Sequence, residues 1–390
     1  MHSTALLTEL VSFPSVSATS NVDVSRFAER QLQQLGFRTE WLEYTDGRGV
    51  PKACVAAQVG PEQGRGLAYF CHTDVVPADT WSFPHSDAWS LHPHDDRLYG
   101  RGSCDMKGSL AAMLAAAAAM DLTALQAPLT IVCTADEEVG MAGARHVAEK
   151  SRVFADVRDR QSRGIIGEPT LLNVVHAHKG GRGLRVTARG IAAHSSTSEG
   201  VNANFAMIPF LHEVHQICQR IDNDPNWHDD RFDPPGISLN LGINDHTHAV
   251  NITPPQSVCT IYFRTMPTTP ADDLVDEIRG LAERLGLEWE IMFAGDPMFT
   301  DPASDFIQEL VGTTSAGQPA VRESSTVSYG TDGAWFTDLK DLAVLGPGSI
   351  EQAHRDDEWI SVEQLRQGEA LYGQLIQRYC VDVDSTDMTS

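Results

Sequence analysis

His72 and Asp74 stand two residues apart where the apolar run Leu67–Cys71 ends, and Asp136, Glu137 and Glu138 follow the apolar run Leu129–Cys133. An imidazole with a carboxylate in reach suits a metal ligand whose ring is oriented by an acid. Read alone, the pair better suits a hydrogen-bonded core histidine beside a surface aspartate. Three consecutive acids are costly to bury, because each charge loses its hydration. Adjacent side chains also diverge, so Glu137 and Glu138 can take different tasks; a solvated turn is the plainer alternative. Glu168, in Gly167-Glu168-Pro169-Thr170, ends a third apolar run. Asp105, in Arg101-Gly102-Ser103-Cys104-Asp105-Met106-Lys107-Gly108, precedes an alanine-rich stretch and could simply cap a helix. Late in the chain Leu342–Leu345 runs into Gly346-Pro347-Gly348, and His354 follows. Histidine or carboxylate at most of these junctions, with no cysteine among the candidate ligands, fits a mixed nitrogen and oxygen site for Zn²⁺, Co²⁺ or Mn²⁺ rather than a structural zinc.

Such a site needs elements that end side by side. Leu67–Cys71, Leu129–Cys133 and Gly164–Gly167 are apolar without alternation, as expected of strands covered on both faces. Leu110–Met120 is apolar all round and reads as a buried helix. Strands alternating with helices predict an α/β layer with a mainly parallel sheet, in which ligands bind at the carboxyl ends of the strands. The middle of the chain has another rhythm. Strands are expected at 183–188, 236–241, 258–263 and 287–292. Helices are expected over 201–221, with Phe205, Ile208, Leu211, Val214, Cys218 and Ile221 at three- and four-residue steps, and over 269–285, opened by Thr269-Pro270. With 183–188 first, the order is β-α-β-β-α-β, the split ferredoxin-like pattern. The expected organisation is therefore a discontinuous α/β domain, 1–179 and 294–380, an inserted domain, 180–293, and a loose tail, 381–390.

The 390 residues carry 53 acidic and 29 basic side chains, a formal charge of −24. A surface of that sign repels nucleic acid and anionic lipid. The longest apolar run falls well short of the roughly 20 residues that span a bilayer. The start, Met1-His2-Ser3-Thr4, has no basic stretch of a signal peptide. Seven scattered cysteines without a C-x-x-C pair suit free thiols in a reducing compartment, so a cytoplasmic protein with neither nucleic-acid nor membrane partners is expected.

Taken in order, His72-Thr73-Asp74, Gly102–Gly108, Asp136-Glu137-Glu138, Gly167–Thr170 and His354 resemble metallopeptidase family M20 over essentially the whole chain. The family groups acetylornithine deacetylases, succinyl-diaminopimelate desuccinylases, aminoacylases and carboxypeptidases. Ile166–Thr170, Ala177–Gly180 and Leu345–Ile350 with Gln352-Ala353-His354 are most similar to its acetylornithine deacetylase branch. The resemblance implies two divalent cations, zinc first and cobalt or manganese as alternatives, bridged by Asp105. One would add His72 and Glu168, the other Glu138 and His354. It implies Glu137 as general base and Asp74 as the residue that orients His72. On its own His194 is a loop histidine; the resemblance makes it a donor to the oxyanion in a partner subunit's site, and so implies a homodimer formed through the inserted domain. Lys179, Asn251, Arg264 and Thr331 are similar to the family's substrate contacts, and Asp332 stands where many relatives of that branch carry the longer glutamate. The implied activity is hydrolysis of a small N-acyl amino acid, with N2-acetylornithine foremost and succinyl-diaminopimelate, other acylated amino acids or a dipeptide as alternatives. A metal-binding scaffold without catalysis is the rival from another class, and a base beside an intact ligand set speaks against it.

Other histidines suggest less. His212-Glu213-Val214-His215 is one residue short of H-E-x-x-H and reads as exposed helix surface. His85, His92 and His94 read as solvated, and His246 and His248 as structural. No G-x-S-x-G elbow or phosphate-binding glycine loop is present.

Overall fold

The computed structural model describes residues 2–247, 249–315 and 323–383. His248 and most of the expected loose tail lie outside them, although Val381 still belongs to the closing turn Gln377–Val381. The chain forms two compact units, Met1–Ala177 with Phe299–Ser325 and Thr331–Ser390, and His178–Met298 with Thr326–Gly330. The short return of 326–330 to the second unit has no signal in the sequence pattern.

The first unit is built on a nine-stranded sheet. Its centre runs in the order Leu129–Thr134, Leu67–His72, Arg163–Ile166, Leu342–Val344, and these four strands are parallel. The flanks are antiparallel: Pro51–Val59 pairs Leu129–Thr134, and Arg38–Thr45 lies outside it. Parallel pairing thus joins these four central strands. Leu67–His72 and Leu129–Thr134 are buried at every residue, which is why neither alternates. Their register sets His72 level with Thr134, and Phe70 level with Ile166. The loops that follow therefore leave the sheet side by side, at the spacing of about 4.8 Å between neighbouring strands.

The helix Lys107–Ala119 is buried from Lys107 to Ala117 and packs against Ser3–Val11 and Val362–Ile376. Being covered all round, it needs no polar face. Its first turn lies against the preceding loop: a Cβ on Gly108 would stand 2.2 Å from the Ser103 carbonyl oxygen, so only glycine fits.

The second unit has the expected β-α-β-β-α-β order, with an antiparallel sheet ordered Leu239–Asn244, Gln256–Thr265, Gly180–Arg189, Glu288–Gly295. Gln256–Thr265 alternates without a break, its Ser257, Cys259, Ile261 and Phe263 facing inward. The helix Ala203–Asn223 departs from the expected stripe. Met207, Phe210, Val214, Ile217 and Ile221 are buried, whereas Phe205 and Ile208 are 72% and 54% exposed. Two apolar stripes lie on this helix, and the sequence spacing alone chose the outer one at its start. The strand expected at 236–241 begins three residues later, because Gly236 pairs with His228 instead. Thr269 does not cap the helix Ala271–Arg284; its hydroxyl turns back on Met266. His85 and His94 are exposed, as expected, and His92 is half-buried; His92 and His94 lie on the short strand His92–His94 and, with His85, surround the Phe83 ring.

Candidate metal centre

The carboxyl ends of the parallel strands bring five side chains together. His72 ends its strand, and its Nε2 lies 3.0 Å from Asp105 Oδ1 and 3.6 Å from Glu168 Oε1. His354 Nε2 lies 2.9 Å from Glu138 Oε2 and 3.5 Å from Asp105 Oδ2. The two oxygens of Asp105 thus face two histidines. His72, Asp105 and Glu168 form one set whose donor atoms lie within 4.8 Å of one another, and Asp105, Glu138 and His354 form a second. Asp105 does not cap the helix that follows, whose N-cap position is Met106 without a side-chain bond.

Each ligand reaches this cluster by a local device. Glu168 follows Ile166 across Gly167, and the loop after it is sewn to the end of a neighbouring strand: Thr170 and Leu172 N–H donate to the Gly346 carbonyl. A Cβ on Gly346 would meet Gly167 O at 2.3 Å, so this approach needs glycine. Glu138 lies in the tight turn Glu137–Val139, entered through Asp136 in left-handed conformation at φ 59°. His354 also sits in the left-handed region, at φ 64°. Non-glycine residues pay a conformational penalty there and occur where surrounding structure imposes it, often at functional sites.

The electrostatics are those of a crowded anionic pocket. Burial, and then the neighbouring Asp105, push Glu168 well above the usual carboxylate range. Burial and Asp105 likewise raise Glu138. Asp105 is also penalised by burial, yet hydrogen bonds from His354 and His72 hold it below its usual value. Bonds to Asp105 and Glu138 push His354 up to about 10. Burial would lower His72, but Glu168 and Asp105 overcome it and raise this imidazole well above its ordinary range. Glu138 Oε1 is buried with no partner among the described residues. A buried carboxylate oxygen without a donor is expensive, and a hard or borderline cation is the partner such a donor set lacks. Two histidines, two non-shared carboxylates and one shared carboxylate fit a pair of divalent cations.

Glu137 is half-buried beside these sets; burial and the Glu168 charge push its carboxyl well above the usual range. Its backbone N–H donates to Asp74 Oδ1 at 3.2 Å. Asp74 lies beyond the end of the strand Leu67–His72. It meets His72 mainly through its backbone: Nδ1 donates to the Asp74 carbonyl at 2.9 Å, while the carboxylate stands 3.7 Å off and accepts from Ser17 Oγ at 2.7 Å. Thr331 is fully buried and its hydroxyl accepts from Gly333 N–H. Asp332 turns inward, bonded to the Thr134 hydroxyl, and burial raises it to about 7.

The remaining expected residues belong to the second unit. His194 is exposed; Ser196 N–H points at its Nδ1 at 3.3 Å, which makes that nitrogen an acceptor and leaves the proton of the neutral ring on Nε2. Asn251 holds the same loop, its carbonyl accepting from Ser195 N–H. Arg264 stands 5.3 Å from the Tyr262 ring centroid. Lys179 is almost wholly buried, and its ammonium donates to the carbonyls of Pro234 and Gly236 rather than facing an open site.

Two participants have no signal in the sequence. Lys52 is fully buried and paired with Asp136, whose other oxygen accepts from Tyr44 at 2.8 Å. Glu358 is buried behind the Asp105 loop. Both act through residues distant in the chain, which spacing cannot reveal.

An α/β hydrolase with a donor set for two cations is the class that this fold and site define. Residues 68–378 match the pattern of "Peptidase family M20/M25/M40", and the chain belongs to that family of metal-dependent hydrolases of amide bonds. It is 32% identical over 387 residues to the acetylornithine deacetylase of Myxococcus xanthus, covering 96% of this chain and 97% of the relative. The M20 metallo-carboxypeptidase Sso-CP2 of Sulfolobus solfataricus has a similar fold, with TM-score 0.75 and 16% identity over 97% of this chain and 99% of that one. The YXEP protein of Bacillus subtilis, described as a dinuclear metal-binding M20 peptidase, aligns with TM-score 0.65 and 14% identity over 96% of each chain.

Proposed function

We propose that the protein hydrolyses N2-acetylornithine to ornithine and acetate, a step of arginine synthesis. The observation that carries the reaction is the pair of donor sets sharing Asp105 with Glu137 beside them. Support for the substrate comes from the full-length likeness to an acetylornithine deacetylase. His72, Asp105 and Glu168 would hold one cation, and Asp105, Glu138 and His354 the other. Divalent cations there, zinc in first place, would supply the Lewis acidity that polarises an amide carbonyl and lowers the pKa of water.

The remaining work falls to the chain's own groups. Glu137 takes a proton from the attacking water as its oxygen bonds to the acetyl carbon. It then delivers that proton to the α-nitrogen as the C–N bond breaks; the water's second proton passes from the new carboxyl group to the amine, so acetate and an ammonium group leave in balance. Asp74 keeps the His72 ring and the Glu137 backbone in place at once. His194, with its proton on Nε2, donates to the carbonyl oxygen as it gains charge. Arg264 is shaped to hold the α-carboxylate by two bonds, with Asn251 and Thr331 as further contacts; Lys179 acts by fixing the Pro234–Gly236 loop.

His194 is assigned to the site of a partner subunit in a homodimer. Exposed Phe205, Ile208, Val250 and Ile252, on the helix and loop of the second unit, support an apolar face of the kind a second copy covers. Seven free thiols support a reducing, cytoplasmic setting. Amine release is measured with protein stripped of metal and reloaded with Zn²⁺ or Co²⁺. Acetylornithine should exceed a panel holding succinyl-diaminopimelate, other acylated amino acids and dipeptides. Faster turnover of another member would move the substrate and keep the site. Cation binding without turnover of any of them would overturn the enzymatic reading.

A further inference from the structure

Glu358 is 1% exposed and stands immediately before the short strand Trp359–Ser361, four residues after His354. Its carboxylate is enclosed by one loop. Oε2 accepts from Arg101 Nη1 at 2.8 Å and from Gly102 N–H at 2.8 Å. Oε1 accepts from Cys104 N–H at 2.8 Å and from Asp105 N–H at 3.0 Å. A carboxylate has about four lone-pair sites, and all four are filled by residues 101–105. The Glu358 backbone carbonyl adds a fifth bond, from Gly100 N–H at 3.0 Å. Trp359 pairs with Tyr99 in the adjoining antiparallel strands, which brings the two segments level.

The loop has few bonds of its own. Ser103 N–H reaches back to Gly100, and Lys107 N–H to Gly102. Arg101 N–H leaves the loop for the Ala88 carbonyl, whereas those of Gly102, Cys104 and Asp105 converge on the one buried anion, as backbone donors do in an anion-binding nest. That anion also belongs to the segment that carries His354. A single side chain therefore joins the loop of the shared ligand to the segment of a terminal ligand, across 253 residues of chain.

We propose that Glu358 is a positioning residue of the metal centre: its carboxylate is the template on which the Asp105 loop is folded, and it sets the direction of both Asp105 oxygens without touching cation or substrate. The inference rests on the reading that the two donor sets bind cations. Arg101 supplies the buried counter-charge, so the pair acts as a unit. Glu358→Gln keeps shape and volume but turns an NH₂ group toward two N–H donors, which forces that part of the loop away. Because both sets use Asp105, both cation-binding steps should weaken together, unlike the loss expected from Glu168→Gln, which touches one set alone.

The test uses the full chain stripped of metal and titrated with Co²⁺ against a chromophoric chelator, with the visible spectrum of bound Co²⁺ recorded beside it. Glu358→Gln should bind Co²⁺ some 10–100-fold more weakly at both steps, the range typical of partners that orient metal ligands, and its Co²⁺ bands should shift. Arg101→Lys keeps the charge, gives up the fork, and should show a smaller shift in the same direction. Should Glu358→Gln not fold, Arg101→Lys and Glu358→Asp carry the test. Variants that lose thermal stability while binding Co²⁺ within about threefold of wild type, with unchanged bands, would overturn the proposal and make Glu358 a structural residue only. Wild-type protein that binds no Co²⁺ would instead overturn the reading of the site itself.

Discussion

Replacing Lys52 by methionine removes a cation that is fully buried against a carboxylate almost as deeply enclosed. The ammonium also donates to the Ser17 carbonyl at 2.8 Å, an oxygen that keeps Arg48 as a second donor at 2.7 Å. Asp136 would be left as a buried anion with Tyr44 as its remaining donor. Breaking a buried pair from one side costs about 3–5 kcal/mol. The Tyr44 bond survives, so the lower end, about 3 kcal/mol, is the expectation. At about 2–4 °C per kcal/mol for domains of this size, the first unfolding transition should fall by roughly 6–12 °C. The pH dependence gives an internal check. Burial already raises the Asp136 pKa above its usual value, and losing Lys52 raises it further. A carboxylate raised in the fold destabilises where it is ionised and ceases to do so once protonated. The gap between variant and wild type should therefore be widest above the raised pKa and close as pH falls toward the ordinary carboxylate range. The assay is thermal unfolding of both proteins, metal-free, from neutral to mildly acidic pH. A gap below about 2 °C at neutral pH, or one that widens on acidification, would refute the reasoning.

Glu137→Gln should keep its fold and cation content and lose about 10²–10⁴-fold in turnover; near-normal turnover would remove Glu137 from its role. His194→Ala should lower kcat by about 10²–10³-fold with cation binding unchanged. Mixing it with Glu137→Gln should restore part of the activity, and no recovery would count against a site completed by the partner subunit. Chelation should lower the thermal midpoint, because the acids of both donor sets lose the partner that separates them, and Zn²⁺ at 100 times its Kd should return about 2.7 kcal/mol. An unchanged midpoint would argue against cations in these sets. Phe205→Glu should shift the protein to monomer in sedimentation experiments if the exposed helix face joins two copies; an unaltered mass would direct the search to another surface.

Much of this protein is legible in its chain because burial leaves a simple mark. Leu67–His72, Leu129–Thr134 and the helix Lys107–Ala119 are covered on all sides, so their residues are apolar without alternation. The acids and histidines that interrupt those runs stand out by contrast. The same logic misled on Ala203–Asn223, where an exposed apolar stripe imitates a core face and only packing tells Phe205 from Met207. The antiparallel flank of Arg38–Thr45 and Pro51–Val59 escaped notice, since Arg38, Glu40 and Glu43 interrupt the first strand and Lys52 and Gln58 the second.

Residue types along the chain already carry the inventory: which groups end which strands, and hence the chemistry of nitrogen and oxygen ligands with a spare carboxylate. Tertiary structure alone decided their partners. That Asp105 faces both histidines depends on parallel strands in register and on a loop wrapped around Glu358 from the far end of the chain. That Asp74 steadies His72 by its carbonyl, and that Lys52 pairs Asp136, are likewise matters of distance in space. The physical reason is common to all of them. Burial is a property of each residue and shows in its type, whereas a hydrogen bond is a property of a pair and shows only when the chain has brought the pair together.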